Sequence, residues 1–292
     1  MDLHESLHGT ASTVRRWLLL EEPGPWGPEA VRDNRLDPAL MARIREVARP
    51  LRMRVVLIRR VLRRRGASPE RRRCLLAWTA PEDGWVEEAV LDGPEQVLDL
   101  DLEAFARGRS PGLRQVDHPL YLVCTHGSHD PCCAEHGRPV ARALADGLPQ
   151  QTWEVSHIGG DRFAANLLVL PQGLYYGRVP ADAAVSLART HERGEVEVPY
   201  FRGRTTYGFG VQAAECLLRG QTGIRGIDDL PLRSSRSEGD ETVAVFAAPQ
   251  GGSYHVRVRT TAASDDRALT CHAQRESAPP QHELVDWHLA SD

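Results

Sequence analysis

The first two thirds of the chain contain the same order of predicted elements twice. Each copy reads strand, helix, strand, two strands joined by a turn, and helix. The first copy comprises strands 16–21, 53–58, 74–79 and 84–90, with helices at 38–49 and near 101–107. The second comprises strands 120–124, 152–156, 166–170 and 174–179, with helices at 137–148 and 181–193. This alternation predicts an α/β fold made of two tandem modules.

A different pattern follows the second copy. Residues 212–219 are predicted to form a short helix, and the polar stretch 220–240 a linker or exposed loop. Segments 243–247 and 254–259 alternate apolar and polar residues around a Pro-Gln-Gly-Gly turn, which predicts a β-hairpin, and a third short strand is predicted near 268–271. The predicted domain boundaries are 1–115 for the first module, 116–205 for the second, and 206–292 for a small C-terminal β extension.

The second copy concentrates metal-ligating residue types in two short segments. Cys124 ends an apolar strand, and eight residues containing Gly127 and Pro131 separate it from Cys133, so the stretch between them is predicted to be a loop. After the helix, the next strand leads into His157, and a Gly-Gly pair allows a tight turn before Asp161. Two thiols and one imidazole are therefore expected to converge at one end of a sheet.

Several kinds of site remain open for these residues. Thiolate and imidazole together suit zinc, iron or an iron–sulfur cluster. The eight-residue gap does not fit the close cysteine pairs of structural zinc sites. Cys124 and Cys133 are also a possible redox pair, whereas the adjacent Cys132 and Cys133 are poorly placed to form a disulfide with each other. The plainest alternative is a set of buried reduced cysteines with His157 hydrogen-bonded in the core.

A set of short motifs in order resembles the sucrase/ferredoxin-like family. The matching stretches are Gly9-Thr10-Ala11, Trp17 to Glu21, Pro23 to Gly27, Cys124 to Gly127, Cys132-Cys133, Gly137-Arg138-Pro139, His157 to Gly160, Arg162-Phe163-Ala164, Asn166-Leu167 and Gly173 to Val179. The resemblance covers roughly residues 9 to 216. It implies thioredoxin-like modules, of which the second is a [2Fe-2S] ferredoxin.

The resemblance also implies a ligand set. The first pair of ligands falls on Cys124 and Cys133, and the second pair on His157 and Asp161. Some relatives carry a second histidine where this chain has Asp161. A carboxylate is a harder donor, so Asp161 can instead orient His157, with Cys132 or His126 as the fourth ligand.

The first copy differs at the position of the ligand loop. Its loop after the first strand reads Glu-Pro-Gly-Pro-Trp-Gly and contains no thiol. The first module is therefore expected to be a degenerate copy without a cluster. Trp26 in this loop is predicted to be a buried anchor between the modules.

Three functions follow from these alternatives. The resemblance favours an electron carrier that contains a [2Fe-2S] cluster and works with an unknown redox protein partner, rather than an enzyme. The second is a thiol-dependent redox enzyme in which His157 lowers the pKa of Cys124 or Cys133. The third is a cluster-free scaffold of the same fold. No pair of carboxylates stands in a setting typical of glycoside cleavage.

Composition adds limits on partners and location. The net charge of −4 and the pI near 6.3 give no general drive toward nucleic acid. No apolar run approaches the roughly 20 residues of a membrane span, and the N-terminus has no signal-peptide pattern, so no membrane association is expected. Six cysteines without a regular framework predict a reducing, cytoplasmic setting.

Overall fold

The computed structural model describes residues 5–61, 71–270, 273 and 275–291, and it combines helices with two β-sheets. One sheet has ten strands and the other has four. The elements of the first copy are β1 (Arg16–Glu21), α1 (Pro38–Ala48), β2 (Arg54–Arg59), β3 (Arg72–Trp78), β4 (Trp85–Leu91), α2 (Leu102–Ala106) and β5 (Arg114–Gln115). Those of the second copy are β6 (Leu120–Cys124), α3 (Pro131–Gly147), β7 (Thr152–Val155), β8 (Leu167–Leu170), β9 (Leu174–Tyr176), α4 (Ala184–Glu192) and β10 (Phe201–Arg204).

Strand pairing repeats between the two copies, as the order of predicted elements indicated. In each copy the first two strands are parallel across a helix, and the first strand also pairs antiparallel with the third. The two halves join where β2 pairs with β7, through Ile58 with Val155 and Arg59 with Glu154. The large sheet thus has the order β10-β9-β8-β6-β7-β2-β1-β3-β4-β5. Because parallel strands end at the same edge, the chain after β6 and the chain after β7 lie side by side.

One core cluster extends across the junction of the halves. It joins Trp17 and Leu19 of the first copy to Leu122, Cys124 and Trp153 of the second. All five residues of β6 are buried, in keeping with a central strand whose two faces are both covered. Cys124 and Cys133 both belong to this shared core.

Helix α3 begins six residues earlier than the predicted start at 137. The predicted loop from Cys124 to Cys133 was wrong in its last part, since only residues 125–130 lie outside regular elements. Pro131 does not break the helix but occupies its first turn, where its missing N–H costs nothing. The Asp130 side chain caps this end by accepting from the Cys132 N–H at 2.9 Å. Cys132 and Cys133 consequently lie in the first helical turn.

The C-terminal region contains one more helix and the small sheet. Its elements are α5 (Phe209–Thr222), β11 (Leu232–Glu238), β12 (Glu241–Ala247), β13 (Ser253–Ala262) and β14 (Pro280–Ala290). The predicted hairpin corresponds to β12 and β13. The linker predicted at 220–240 was wrong in part, because β11 lies within it and pairs with β12.

The third short strand was wrongly placed. Residues 268–270 form no strand, residue 271 lies outside the described residues, and β14 pairs with β13 instead. Among the helices in the described part of the chain, none is both long and apolar enough to cross a bilayer.

Candidate metal centre

Two buried thiols meet at the end of β6. Cys124 is the last residue of β6 and is 1% exposed, while Cys133 in the first turn of α3 is fully buried. Both cysteines are free thiols. Their Sγ atoms and a ring nitrogen of His157 all lie within 4.8 Å of one another. The convergence of two thiols and one imidazole expected from the sequence is thus present in the fold.

A glycine allows α3 to approach the strand this closely. A Cβ at Gly137 would lie 2.0 Å from the carbonyl oxygen of Cys124 and 3.1 Å from its carbonyl carbon. Real Cβ contacts are not this short, and the obstacle is backbone rather than a movable side chain. Because Gly137 lies one turn after Cys133 on the same helix, the distance between the thiols depends on this contact.

The substitution Gly137→Ala is expected to push α3 away from β6. Overpacking of this kind costs about 1–3 kcal/mol of folding free energy. The same displacement should separate Cys133 from Cys124 and lower the affinity of the two thiols for a thiophilic metal ion. Urea denaturation and metal titration measure the two effects.

Gly147→Ala is the matched control, because Gly147 is the last residue of the same helix and a Cβ there meets nothing within 4 Å. Equal stability and equal metal affinity in the two variants would contradict the close-approach argument.

The turn after β7 supplies the other donors. Gly159 and Gly160 adopt φ values of +106° and +82°, in the region that favours glycine. A short 3₁₀ helix, Asp161–Phe163, follows directly. The side chains of His157 and Asp161 face each other across this turn, with Nδ1 of His157 2.8 Å from Oδ1 of Asp161. Asp161 is buried, whereas the imidazole of His157 is 24% exposed.

The contact between His157 and Asp161 is short but poorly directed. Nδ1 of His157 is buried and has no hydrogen-bond partner of acceptable angle in the described structure. Sγ of Cys133 lies 3.6 Å from Oδ1 of Asp161. Nδ1 of His157 is thus a buried polar atom without a hydrogen bond, which a role as a metal or cluster ligand would explain.

Electrostatics shift the pKa values of the two thiols in opposite directions. A hydrogen bond from Cys133 lowers the pKa of Cys124 far below its usual value despite burial, and His157 lowers it further. The same pairing raises the pKa of Cys133. Burial alone would lower the pKa of His157, but Asp161 and Cys124 raise it to about 9. The hydrogen bond from Cys133 and the imidazole of His157 therefore favour the thiolate form of Cys124, the form that binds metals.

His126, one of the alternative fourth ligands, has both ring nitrogens engaged. Nε2 donates to the carbonyl oxygen of Gly27 at 2.7 Å, and Nδ1 accepts from the backbone N–H of His157 at 3.2 Å. These bonds fix the neutral tautomer with the proton on Nε2. The other alternative, Cys132, is half-buried and belongs to neither group of converging donors formed by the described residues.

His129 is a donor that the sequence reasoning missed. Its ring stacks on His157 with centroids 3.9 Å apart, and Nε2 lies 4.0 Å from Oδ2 of Asp161. Nδ1 lies 3.0 Å from the carbonyl oxygen of Pro28 and must donate to it, so the lone pair of Nε2 is left for another partner. His129, His157 and Asp161 form a second group of donors within 4.8 Å. The position of His129 in the loop between Cys124 and Cys133 was the feature of the sequence that could have identified it as a donor.

The first copy contributes one wall of the site. Trp26 is 4% exposed, contacts the His126 ring edge-on at 5.8 Å and lies under the Arg59 guanidinium at 4.3 Å. The prediction of a buried anchor between the halves is confirmed. A cleft of about 390 Å³ opens beside it, bordered by Trp26, Arg59, His126, Ser128 and Arg138.

Comparison with known proteins places these observations in a family. A stretch of 101 residues is 29% identical to "Altered inheritance of mitochondria protein 32" of Meyerozyma guilliermondii, covering 31% of this chain and 36% of that protein. The match thus spans little more than a third of the relative's length. No solved structure matches this chain. The model of the sucrase/ferredoxin-like family matches residues 7–203, which include every donor described above, and the chain therefore belongs to the sucrase/ferredoxin-like family.

Proposed function

We propose that this protein is a one-electron carrier with a [2Fe-2S] cluster held by Cys124, Cys133, His157 and Asp161. In this proposal the cluster lies in the second of two tandem thioredoxin-like modules, and the first module holds none. The observation that carries the proposal is the pair of donor groups that share His157, one containing both thiols and the other containing imidazole and carboxylate. A two-iron cluster needs two pairs of ligands, and these groups supply them.

The chemistry of the donors supports iron and sulfide over a hard metal ion. Thiolates and imidazoles are soft or borderline ligands, and the lowered pKa of Cys124 favours its thiolate form. When bound, a [2Fe-2S] cluster accepts and releases a single electron, at a higher potential with imidazole ligands than with thiolates alone. His157 must lose a proton to ligate, so assembly of the site releases protons.

The two sides of the site differ in burial and therefore in function. Cys124 and Cys133 lie in the core and exclude water from their side. The imidazoles of His157 and His129 are 24% and 34% exposed, so they form the edge that a partner can approach. The adjacent cleft carries Arg59, which is already paired with Glu154, and Arg138, whose positive charge suits an acidic redox protein as electron donor or acceptor. We place this function in the reducing setting of the cytoplasm.

A thiol-dependent redox enzyme is the second candidate, favoured by the lowered pKa of Cys124. The burial of this thiol weighs against it, because a substrate must reach the nucleophile and Cys124 is 1% exposed. A cluster-free scaffold would need no thiolate in the core. The electron-carrier proposal is the one that uses the buried thiolate and the exposed imidazole edge together.

Anaerobic purification followed by iron and sulfide analysis tests the proposal. We expect about two irons and two sulfides per chain, with a visible absorption spectrum that bleaches on one-electron reduction. Colourless, iron-free protein after anaerobic purification and after attempted reconstitution would contradict it. If a thiol of that iron-free protein reacted with a small disulfide, the result would favour the thiol-dependent redox enzyme instead.

The fourth ligand is resolved by three alanine variants. If Asp161 ligates, Asp161→Ala loses iron while His129→Ala and Cys132→Ala retain it. If Asp161→Ala retains the cluster and either His129→Ala or Cys132→Ala loses it, the residue whose variant loses the cluster is the fourth ligand. The spectrum of each variant shows whether the cluster that remains is the original one.

A further inference from the structure

The turn that carries His157 and Asp161 rests in a cradle of side-chain donors. Four consecutive carbonyl oxygens of this turn, those of residues 157–160, each accept a hydrogen bond from a side chain. Arg54 Nη2 donates to His157 at 3.2 Å, Ser12 Oγ and Tyr175 Oη to Ile158 at 2.8 and 2.9 Å, Arg202 Nη1 to Gly159 at 3.2 Å, and Asn166 Nδ2 to Gly160 at 2.8 Å. These five donors come from the segment before β1, from β2, from the residue before β8, from β9 and from β10.

Arg202 lies at the centre of the cradle. Its guanidinium is 1% exposed, and besides Gly159 it bonds Oδ1 of Asn166 at 2.6 Å, Oγ1 of Thr10 at 2.9 Å and the carbonyl oxygen of Thr10. It also packs against the rings of Phe163 and Tyr175, at 4.8 and 5.3 Å. Burial lowers its pKa to about 10, which still leaves the group charged at neutral pH.

The fit of the turn on Arg202 is tight. A Cβ at Gly160 would lie 2.3 Å from Nη2 of Arg202, so only glycine allows this approach. Arg202 bonds the side chain of Asn166, and the backbone carbonyl oxygen of Asn166 accepts from the Cys124 N–H at 3.0 Å. Arg202 therefore connects the turn to the end of β6, which carries the first thiol.

The direction of the carbonyls fixes the direction of the amides. In a planar trans peptide the C=O of one residue and the N–H of the next point to opposite sides. With the carbonyls of residues 158–160 turned into the cradle, the N–H groups of Gly159, Gly160 and Asp161 point away from it. Within the described structure these three N–H groups donate to no protein atom.

We propose that Arg202 is a positioning residue that holds the carbonyls of this turn inward, so that the amides of residues 159–161 face the bound cluster and raise its reduction potential. The inference rests on the proposed function. Amide hydrogen bonds to cluster sulfur stabilise the reduced state, which carries one more negative charge, and therefore raise the potential. Loosening the cradle should lower it.

Redox titration of the holoprotein tests this role with two kinds of variant. Arg202→Lys keeps the positive charge but cannot bond Thr10, Gly159 and Asn166 together. The double variant Ser12→Ala with Tyr175→Phe removes both donors to Ile158 with little change in shape, so it remains informative if the Arg202 variant does not fold. Both should have a lower midpoint potential than the wild type.

Tyr176→Phe is the control, because Tyr176 is the adjacent buried tyrosine of β9 and packs in the core cluster on the opposite face. Its potential should stay at the wild-type value. Unchanged potentials in both cradle variants, or an equal fall in the control, would overturn the proposal.

A second readout does not need the cluster. The Phe163 N–H donates to the carbonyl oxygen of Gly160 at 2.9 Å, so its hydrogen exchange in metal-free protein reports on the stability of the turn. Loss of the two donors to Ile158 should speed this exchange about tenfold, and the control should not change it. Iron-free wild-type protein would count against the proposed function alone, whereas unchanged exchange in both cradle variants would overturn the positioning role.

Discussion

With the proposed ligands, Cys133→Ala should leave the purified protein with almost none of the iron and sulfide expected of the wild type. Cys133 is the only proposed ligand on α3, and removing its thiol also removes the hydrogen bond that lowers the pKa of Cys124. The remaining thiol then loses part of its stabilisation as a thiolate and is a poorer ligand. Iron and sulfide analysis of anaerobically purified protein measures the loss, and the visible spectrum should disappear with it.

Cys216→Ala is the matched control for this prediction. Cys216 is a free thiol on α5 and is also almost fully buried, but it packs in a different core cluster and donates to the carbonyl oxygen of Phe201 at 3.8 Å. The truncation has the same size, so any iron loss caused by a general core defect would appear in both variants. A cluster that survives in Cys133→Ala, or is lost equally in Cys216→Ala, would contradict the ligand assignment.

The convergence of Cys124, Cys133 and His157 was predictable because it follows from topology. Two apolar runs separated by an amphipathic helix predict adjacent parallel strands, and the residues that follow such strands meet at one edge. The first of these strands could be recognised as an apolar run because β6 is buried along its whole length. Local patterns and one rule of connection were enough for this part of the site.

The distribution of roles among the histidines was not predictable in the same way. The state of His126 is set by the carbonyl oxygen of Gly27, and that of His129 by the carbonyl oxygen of Pro28. Both partners lie about 100 residues away in the first copy. Tautomers fixed by such distant contacts leave no local pattern in the sequence, so one histidine was assigned as a possible ligand and the other was overlooked.

The errors in secondary structure have separate physical causes. At Pro131 the sequence reasoning gave weight to the loss of a backbone donor, which has no consequence in the first turn of a helix. Strand β11 is Ser- and Arg-rich and exposed along most of its length, so it shows no alternation of apolar and polar residues. β11 forms because it pairs with β12, and this pairing is a tertiary effect.

Glu215→Gln should lower the folding free energy by about 3–5 kcal/mol, the usual cost of breaking a buried ion pair from one side. Oε1 of Glu215 accepts from Nε of Arg204 at 3.0 Å and from Nε and Nη2 of Arg219 at 3.1 and 2.9 Å. All three side chains are at most 2% exposed. Burial alone would raise the pKa of Glu215, but the two arginines lower it, so the carboxylate remains charged. The glutamine would leave two buried guanidinium groups without a counter-charge.

Urea denaturation of the variant measures this loss, with Glu103→Gln as the control. Glu103 of α2 pairs with Arg107 at 2.7 Å on the protein surface, where both side chains are more than 60% exposed, and pairs of this kind contribute little to stability. Comparable losses in the two variants would refute the claim that burial makes the Arg204–Glu215–Arg219 group critical.

Iron analysis of the same variant separates an effect on stability from an effect on ligation. Arg204 ends β10, and Arg202 on that strand holds the turn with His157 and Asp161, but Glu215 contacts none of the donors. We therefore expect Glu215→Gln to unfold at lower urea concentration while binding the wild-type amount of iron under conditions where it remains folded. Iron loss from folded Glu215→Gln would instead mean that β10 transmits the strain from α5 to the turn. In that case the cradle around Arg202 would be the first place to look for the change.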